Sequence, residues 1–125
     1  MPSTFFYDSY AVLAYTSGHQ GYRKYFDESE GVLTKLNLLE VFYRSLEEHG
    51  PKAASSIMGT FSKYLVEFGL KDIEGAMRIR MALKREGKDV SYADAVGYFL
   101  SRKMGIRFLT GDRAFRGMSG VEYLE

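Results

Sequence analysis

Cysteine is absent from this 125-residue sequence. That excludes a disulfide framework, a thiolate zinc site, an iron–sulfur cluster and a cysteine nucleophile, and nothing points to an oxidising compartment. Histidine is scarce: His19 and His49 fall in or beside predicted turns, far apart and without a metal-ligand spacing, so both read as surface residues. The glycines form neither a G-x-G-x-x-G nor a Walker pattern, and no nucleotide cofactor is expected. No apolar run approaches a bilayer span, and the opening residues lack a basic stretch and soon meet Asp8. The expectation is a cytoplasmic protein without a membrane partner. No repeat, low-complexity tract or linker divides the chain, so residues 1–125 are read as one domain.

What is present is an ordinary globular composition, with 46% hydrophobic and 26% charged residues. At this length about two-thirds of the unfolded surface can be buried, enough for a core without staples. The formal net charge of +1 hides an asymmetry: residues 1–50 carry four basic and seven acidic side chains, residues 51–125 thirteen and nine. Basic clusters at Lys84, Arg85 and Lys88, at Arg102, Lys103 and Arg107, and at Arg113 and Arg116 can meet a polyanion or simply be solvated helix faces.

Ser3–Tyr7 has the β-branched and aromatic character of a buried strand and stops at Asp8-Ser9, a helix-start signal. Helices are expected over Tyr10–Thr16 and Tyr22–Ser29, and a second strand over Val32–Thr34. Leu39, Phe42, Tyr43 and Leu46 fall at i, i+3, i+4 and i+7 of a helix over Leu36–His49, predicting that stripe as its buried face. Further helices are expected over Lys52–Lys63, Asp72–Glu86 and Ser91–Met104, with strands at Tyr64–Phe68, Ile106–Thr110 and Val121–Leu124. Strands alternating with helices imply an α/β fold: a three-layer αβα sandwich around a central, mainly parallel sheet.

Ligands of such sheets bind beyond the carboxyl ends of the strands. Asp8 and Asp112 each follow a predicted strand, while Glu40 and Asp94 lie in the first turns of helices that start at the same edge. Four carboxylates sharing one place raise one another's pKa unless a cation compensates. An oxygen-only ligand set selects Mg²⁺ or Mn²⁺. Such a cation beside phosphate chemistry implies phosphodiester hydrolysis, with a water oriented for in-line attack and room for a second metal roughly 4 Å away. Each acid also has a structural reading: Ser91-Tyr-Ala-Asp94 is a capping-box pattern, Asp8 and Asp112 suit N-caps or turns, and Glu40 suits a solvated face. Without these four, 17 basic residues face 12 acidic ones, a basic surround for an acidic centre.

The residues resemble the PIN domains, and within them the small VapC-type toxin ribonucleases, over essentially the whole chain. FFYDSYAVLAY is similar to that family's first strand, first acid and following hydroxyl residue. LNLLEVFY resembles its second motif, and SYADAVGYFLSRKMGIRFLTGDRAF is the most specific match. The resemblance implies a metal-dependent endoribonuclease, with Asp8 and Asp94 as principal Mg²⁺ or Mn²⁺ ligands and Glu40 and Asp112 completing the acidic site. It implies that the Ser9 and Thr110 hydroxyls orient those carboxylates. It also implies an RNA substrate, a homodimer, and a small antitoxin partner in a toxin–antitoxin pair. Two other readings compete. A non-catalytic PIN-like module would bind RNA or protein without cutting. A phosphoacceptor receiver domain would need an Asp closing its middle strand, where Tyr64–Phe68 offers only Glu67.

Overall fold

A computed structural model describes residues 3–125. Strand β1 (Thr4–Tyr7) leads into α1 (Ser9–Thr16), a 3₁₀ turn at Gln20–Tyr22 and α2 (Arg23–Asp27). After β2 (Glu30–Val32) come α3 (Lys35–His49), α4 (Pro51–Phe61), α5 (Leu70–Arg85) and α6 (Tyr92–Met104). Strand β3 (Arg107–Thr110), a 3₁₀ turn at Arg113–Phe115 and β4 (Val121–Tyr123) finish the chain. The four strands form one sheet in the order β2-β1-β3-β4, every pair parallel. This is the α/β architecture expected.

Alternation along the strands divides the core between the two sheet faces. Phe5, Tyr7 and Leu109 pack with Val12, Tyr22, Tyr25, Leu38 and Val41. Phe6 and Phe108 point the other way, onto Val96, Leu100 and Phe115. Both faces are therefore apolar, which is why the strands read as continuous hydrophobic runs. Phe6, Phe108 and Phe115 are fully buried, and truncating such a ring to alanine costs about 3–5 kcal/mol.

Two expectations fail. Tyr64–Phe68 is not a strand: Ser62–Tyr64 is a 3₁₀ turn, and only an isolated parallel bridge joins Leu33 to Leu65. Leu33 N–H donates to the Tyr64 carbonyl, Val66 N–H to the Leu33 carbonyl, and the segment then leaves the sheet. The stripe on α3 is also misassigned. Leu39 and Tyr43 are 66% and 61% exposed, while Leu38, Val41 and Ser45 face the core. The buried face of α3 is polar at one end, because Asn37 is fully buried and its carboxamide oxygen accepts from the Thr34 N–H at 2.9 Å, capping the helix.

Candidate functional site

The strand order turns at β1, whose neighbours are β2 on one side and β3 on the other. Parallel sheets open a crevice at the carboxyl ends of strands where the order reverses. Asp8 follows β1 there, and its N–H extends the ladder to the Leu109 carbonyl of β3 at 3.3 Å. Asp112 lies two residues beyond β3. Glu40 projects from α3 and Asp94 from the first turn of α6. All four carboxylates line one open cavity of about 980 Å³, together with Ser9, Tyr10, His19, Arg44, Ser91 and Arg113.

The capping interpretations turn out to coexist with this convergence. One Asp8 oxygen accepts from the Ala11 N–H at 2.8 Å and starts α1; one Asp112 oxygen accepts from Ala114 N–H at 3.0 Å. Ser91 Oγ accepts from the Asp94 N–H at 3.0 Å, so serine rather than aspartate caps α6. The second Asp8 oxygen, Oδ2, is buried and has no hydrogen-bond partner. An unpaired carboxylate oxygen in that position is costly and calls for a cation or a proton. Burial, followed by the charge of Asp94, pushes the Asp8 carboxyl well above its ordinary pKa. The nearby Thr110 hydroxyl and the Ala11 N–H ease its charge only partly. Asp94 is pushed up to about 7 by burial, then by Glu40 and Asp112.

Side chains behind the carboxylates set their orientation. Ser9 Oγ donates to Glu40 Oε1 at 2.7 Å and accepts from Asn37 Nδ2 at 3.3 Å. Asn37, three residues before Glu40 on α3, thus ties the helix cap to the cavity wall. Thr110 Oγ1 accepts from the Asp112 N–H at 3.0 Å, folding the chain back after β3. His19 is already engaged: Nδ1 accepts from the Gly21 N–H, so Nε2 carries the proton donated to the Glu125 carbonyl at 3.0 Å.

Among the described residues, no three Asp, Glu or His side chains stand close enough to form a ready-made metal cage. Magnesium keeps most of its waters and needs only one or two carboxylates directly. The all-oxygen donor set and the orphaned Asp8 Oδ2 fit such a hard, hydrated cation.

Three rim residues carried no individual expectation for this cavity. Tyr10 is two residues beyond Asp8, Arg44 is four beyond Glu40 on the same α3 face, and Arg113 adjoins Asp112. Each was within reach of helical or turn spacing once the four acids were placed together.

A three-layer sandwich with a carboxylate-lined crevice at the β1/β3 switch point defines a PIN-like fold. The chain superimposes on the Mycobacterium tuberculosis toxin VapC20, described as cleaving the sarcin-ricin loop, with a TM-score of 0.78 and 16% identity, over 97% of this chain and 99% of that one. DNA-bound VapBC from Salmonella typhimurium gives a TM-score of 0.74 and 18% identity, covering 99% and 98%. A toxin–antitoxin complex from Klebsiella pneumoniae gives 0.73 and 15%, covering 94% of each chain. No family model matches the sequence. No curated protein matches it either.

Proposed function

We propose that the protein is a VapC-type toxin: a Mg²⁺- or Mn²⁺-dependent endoribonuclease that hydrolyses RNA phosphodiester bonds. The observation carrying this reading is the buried, unpartnered Asp8 Oδ2 in a cavity that it shares with Glu40, Asp94 and Asp112. Asp8 and Asp94 would hold the cation, with Glu40 and Asp112 closing the acidic wall directly or through water. When bound, the cation supplies charge neutralisation at the scissile phosphate and acidifies water. The protein's own contribution is placement. Ser9, fixed by Asn37, holds Glu40 in a single orientation, and Thr110 holds the turn that presents Asp112. Asp94 is set on the cavity wall by the first turn of α6, which Ser91 caps. Arg44, paired with Glu47 and Glu48, and Arg113, paired with Glu125, are the guanidinium groups on the cavity rim that would meet the flanking phosphates once these exposed pairs yield.

The structures sharing this fold include complexes of such toxins with antitoxins, which supports an antitoxin partner here, and a homodimer belongs to the same proposal. No helix among the described residues is long and apolar enough to cross a membrane. The decisive experiment is cleavage of a mixed pool of structured and single-stranded RNAs, with Mn²⁺ or EDTA, by the wild type and Asp8→Ala. Cutting that requires Mn²⁺ and disappears in the variant is expected. RNA bound but never cut under any metal would refute the nuclease reading in favour of a binding module.

A further inference from the structure

Two aromatic rings line the cavity, and they differ in what they are free to do. The His19 ring has both nitrogens engaged and packs edge-on against Tyr22 with centroids 5.0 Å apart. Tyr10, in the first turn of α1, is 40% exposed although both its sequence neighbours in α1, Ser9 and Ala11, are buried. Its ring rests on the backbone of Gly111, immediately before Asp112. A Cβ built on Gly111 would come within 2.2 Å of Tyr10 Cε1 and 2.5 Å of Cζ, so only glycine lets the ring lie there. The Cε1–Cζ edge of the ring is thus braced by main chain, the Tyr22 ring stands tilted 6.2 Å from its centroid, and the exposed remainder lines the cavity beside Asp8 and Asp112.

Arg113, two residues after that glycine, also lines the cavity. Its Nε donates to Glu125 Oε1 at 2.8 Å, with the arginine side chain 82% exposed. An exposed pair of this kind contributes little to stability and yields readily to a competing anion. A braced ring beside a releasable guanidinium is the pairing by which proteins hold unpaired nucleotides, one group stacking on the base and the other meeting the phosphate. A base within a duplex is covered on both faces by its neighbours and has no surface to offer the ring.

We infer that Tyr10 is the base-stacking platform of this site and Arg113 its adjacent phosphate clamp, so that the substrate presents an unpaired nucleotide to the carboxylates. The inference rests on the nuclease reading above and names the two side chains of this chain that hold the nucleotide beside the carboxylates. Tyr10 acts as a positioning residue: it sets where the scissile phosphate falls relative to Asp8 and Asp112.

The test measures binding in EDTA, with RNA integrity checked on a gel, using a short unstructured oligoribonucleotide carrying 2-aminopurine, its DNA counterpart and the RNA duplex. Wild type and Tyr10→Phe should quench the 2-aminopurine of the single strand. Tyr10→Ala and Tyr10→Leu should not, and their affinity should fall about 5- to 140-fold, corresponding to roughly 1–3 kcal/mol per stacked base. Duplex affinity should be the same for all four proteins. An equal response from the DNA strand supports the platform and places any choice of sugar elsewhere. Arg113→Gln should lower the salt slope of binding by about one. Melting temperatures confirm that each variant is folded, and Tyr10→Leu retains apolar packing on Gly111. Quenching and affinity unchanged in a folded Tyr10→Ala, or fully retained in Tyr10→Leu, would overturn the platform while leaving the nuclease reading intact. An unchanged salt slope would overturn the clamp. Failure of the wild type to bind any of the strands at low salt, in EDTA and again with Ca²⁺ in its place, together with no cleavage in Mn²⁺, would instead remove the nuclease reading itself.

Discussion

Asp94 shows how a single side chain links stability to chemistry. Its carboxyl is raised to about 7, chiefly by burial and then by Glu40, whereas in the unfolded chain it titrates near its ordinary value of 3.8. The folded protein therefore binds the proton more tightly. This contribution to stability is fully present below about pH 4 and is lost as pH rises through 7. In EDTA the melting temperature of wild type relative to Asp94→Asn should fall between pH 5 and pH 8, and at pH 8 the variant should be the more stable protein, because it no longer carries the repelled charge. Mn²⁺ should restore the wild type at pH 8 and do little for the variant. Cleavage by Asp94→Asn should be abolished in RNA assays. A second residue-scale prediction concerns Gly31, where a Cβ would lie 2.0 Å from the Tyr7 ring. Gly31→Ala should destabilise by about 1–3 kcal/mol in urea titrations, since the buried ring must shift. The acids themselves were readable from sequence because each sits beside a strand end or helix start. The Ser9–Asn37 relay was not, because its members lie 28 residues apart and meet only when α1 packs on α3.

At the scale of elements, α3 illustrates the limit of periodicity. Leu39, Phe42, Tyr43 and Leu46 satisfy a helical stripe, yet Leu38, Val41 and Ser45 satisfy one as well, rotated by one residue. Hydrophobicity favours the first set; packing chooses the second, because α3 must also turn Glu40 toward the cavity and bury Asn37. Leu38→Ala should accordingly cost about 2–4 kcal/mol by denaturant unfolding. Leu39→Ala, at an exposed position, should stay within about 0.5 kcal/mol of wild type. The failed strand at Tyr64–Phe68 has a related cause. Its aromatic and β-branched residues suit a strand, but beside β2 the segment forms one bridge and then supplies Val66 and Phe68 to the second core cluster. Local propensity described those side chains correctly and misjudged what they pack against.

Over the whole molecule, the proposed function bears on the balance of charge. Apart from Asp8, Glu40, Asp94 and Asp112, the chain carries 17 basic and 12 acidic residues, Glu48 on the cavity wall among the latter. Affinity for single-stranded RNA in EDTA should therefore fall steeply as KCl is raised from 50 to 200 mM, with log K linear in log salt. The proposed homodimer should sediment at twice the 14.2 kDa chain mass, and a concentration-independent mass of 14.2 kDa would remove it. Neither measurement depends on knowing the RNA target.

The sequence by itself determined the α/β class, the parallel sheet and the edge at which the acids gather. These follow from local patterns: apolar strands buried on both faces, helices between them, and carboxylates placed directly at element ends. Only the tertiary structure decided which face of α3 is buried and which segments pair. It also decided that Asp8 Oδ2 lacks a partner and that Tyr10 lies on Gly111. Those outcomes depend on contacts between residues distant along the chain, where close packing selects among arrangements that local propensity leaves nearly equal in energy.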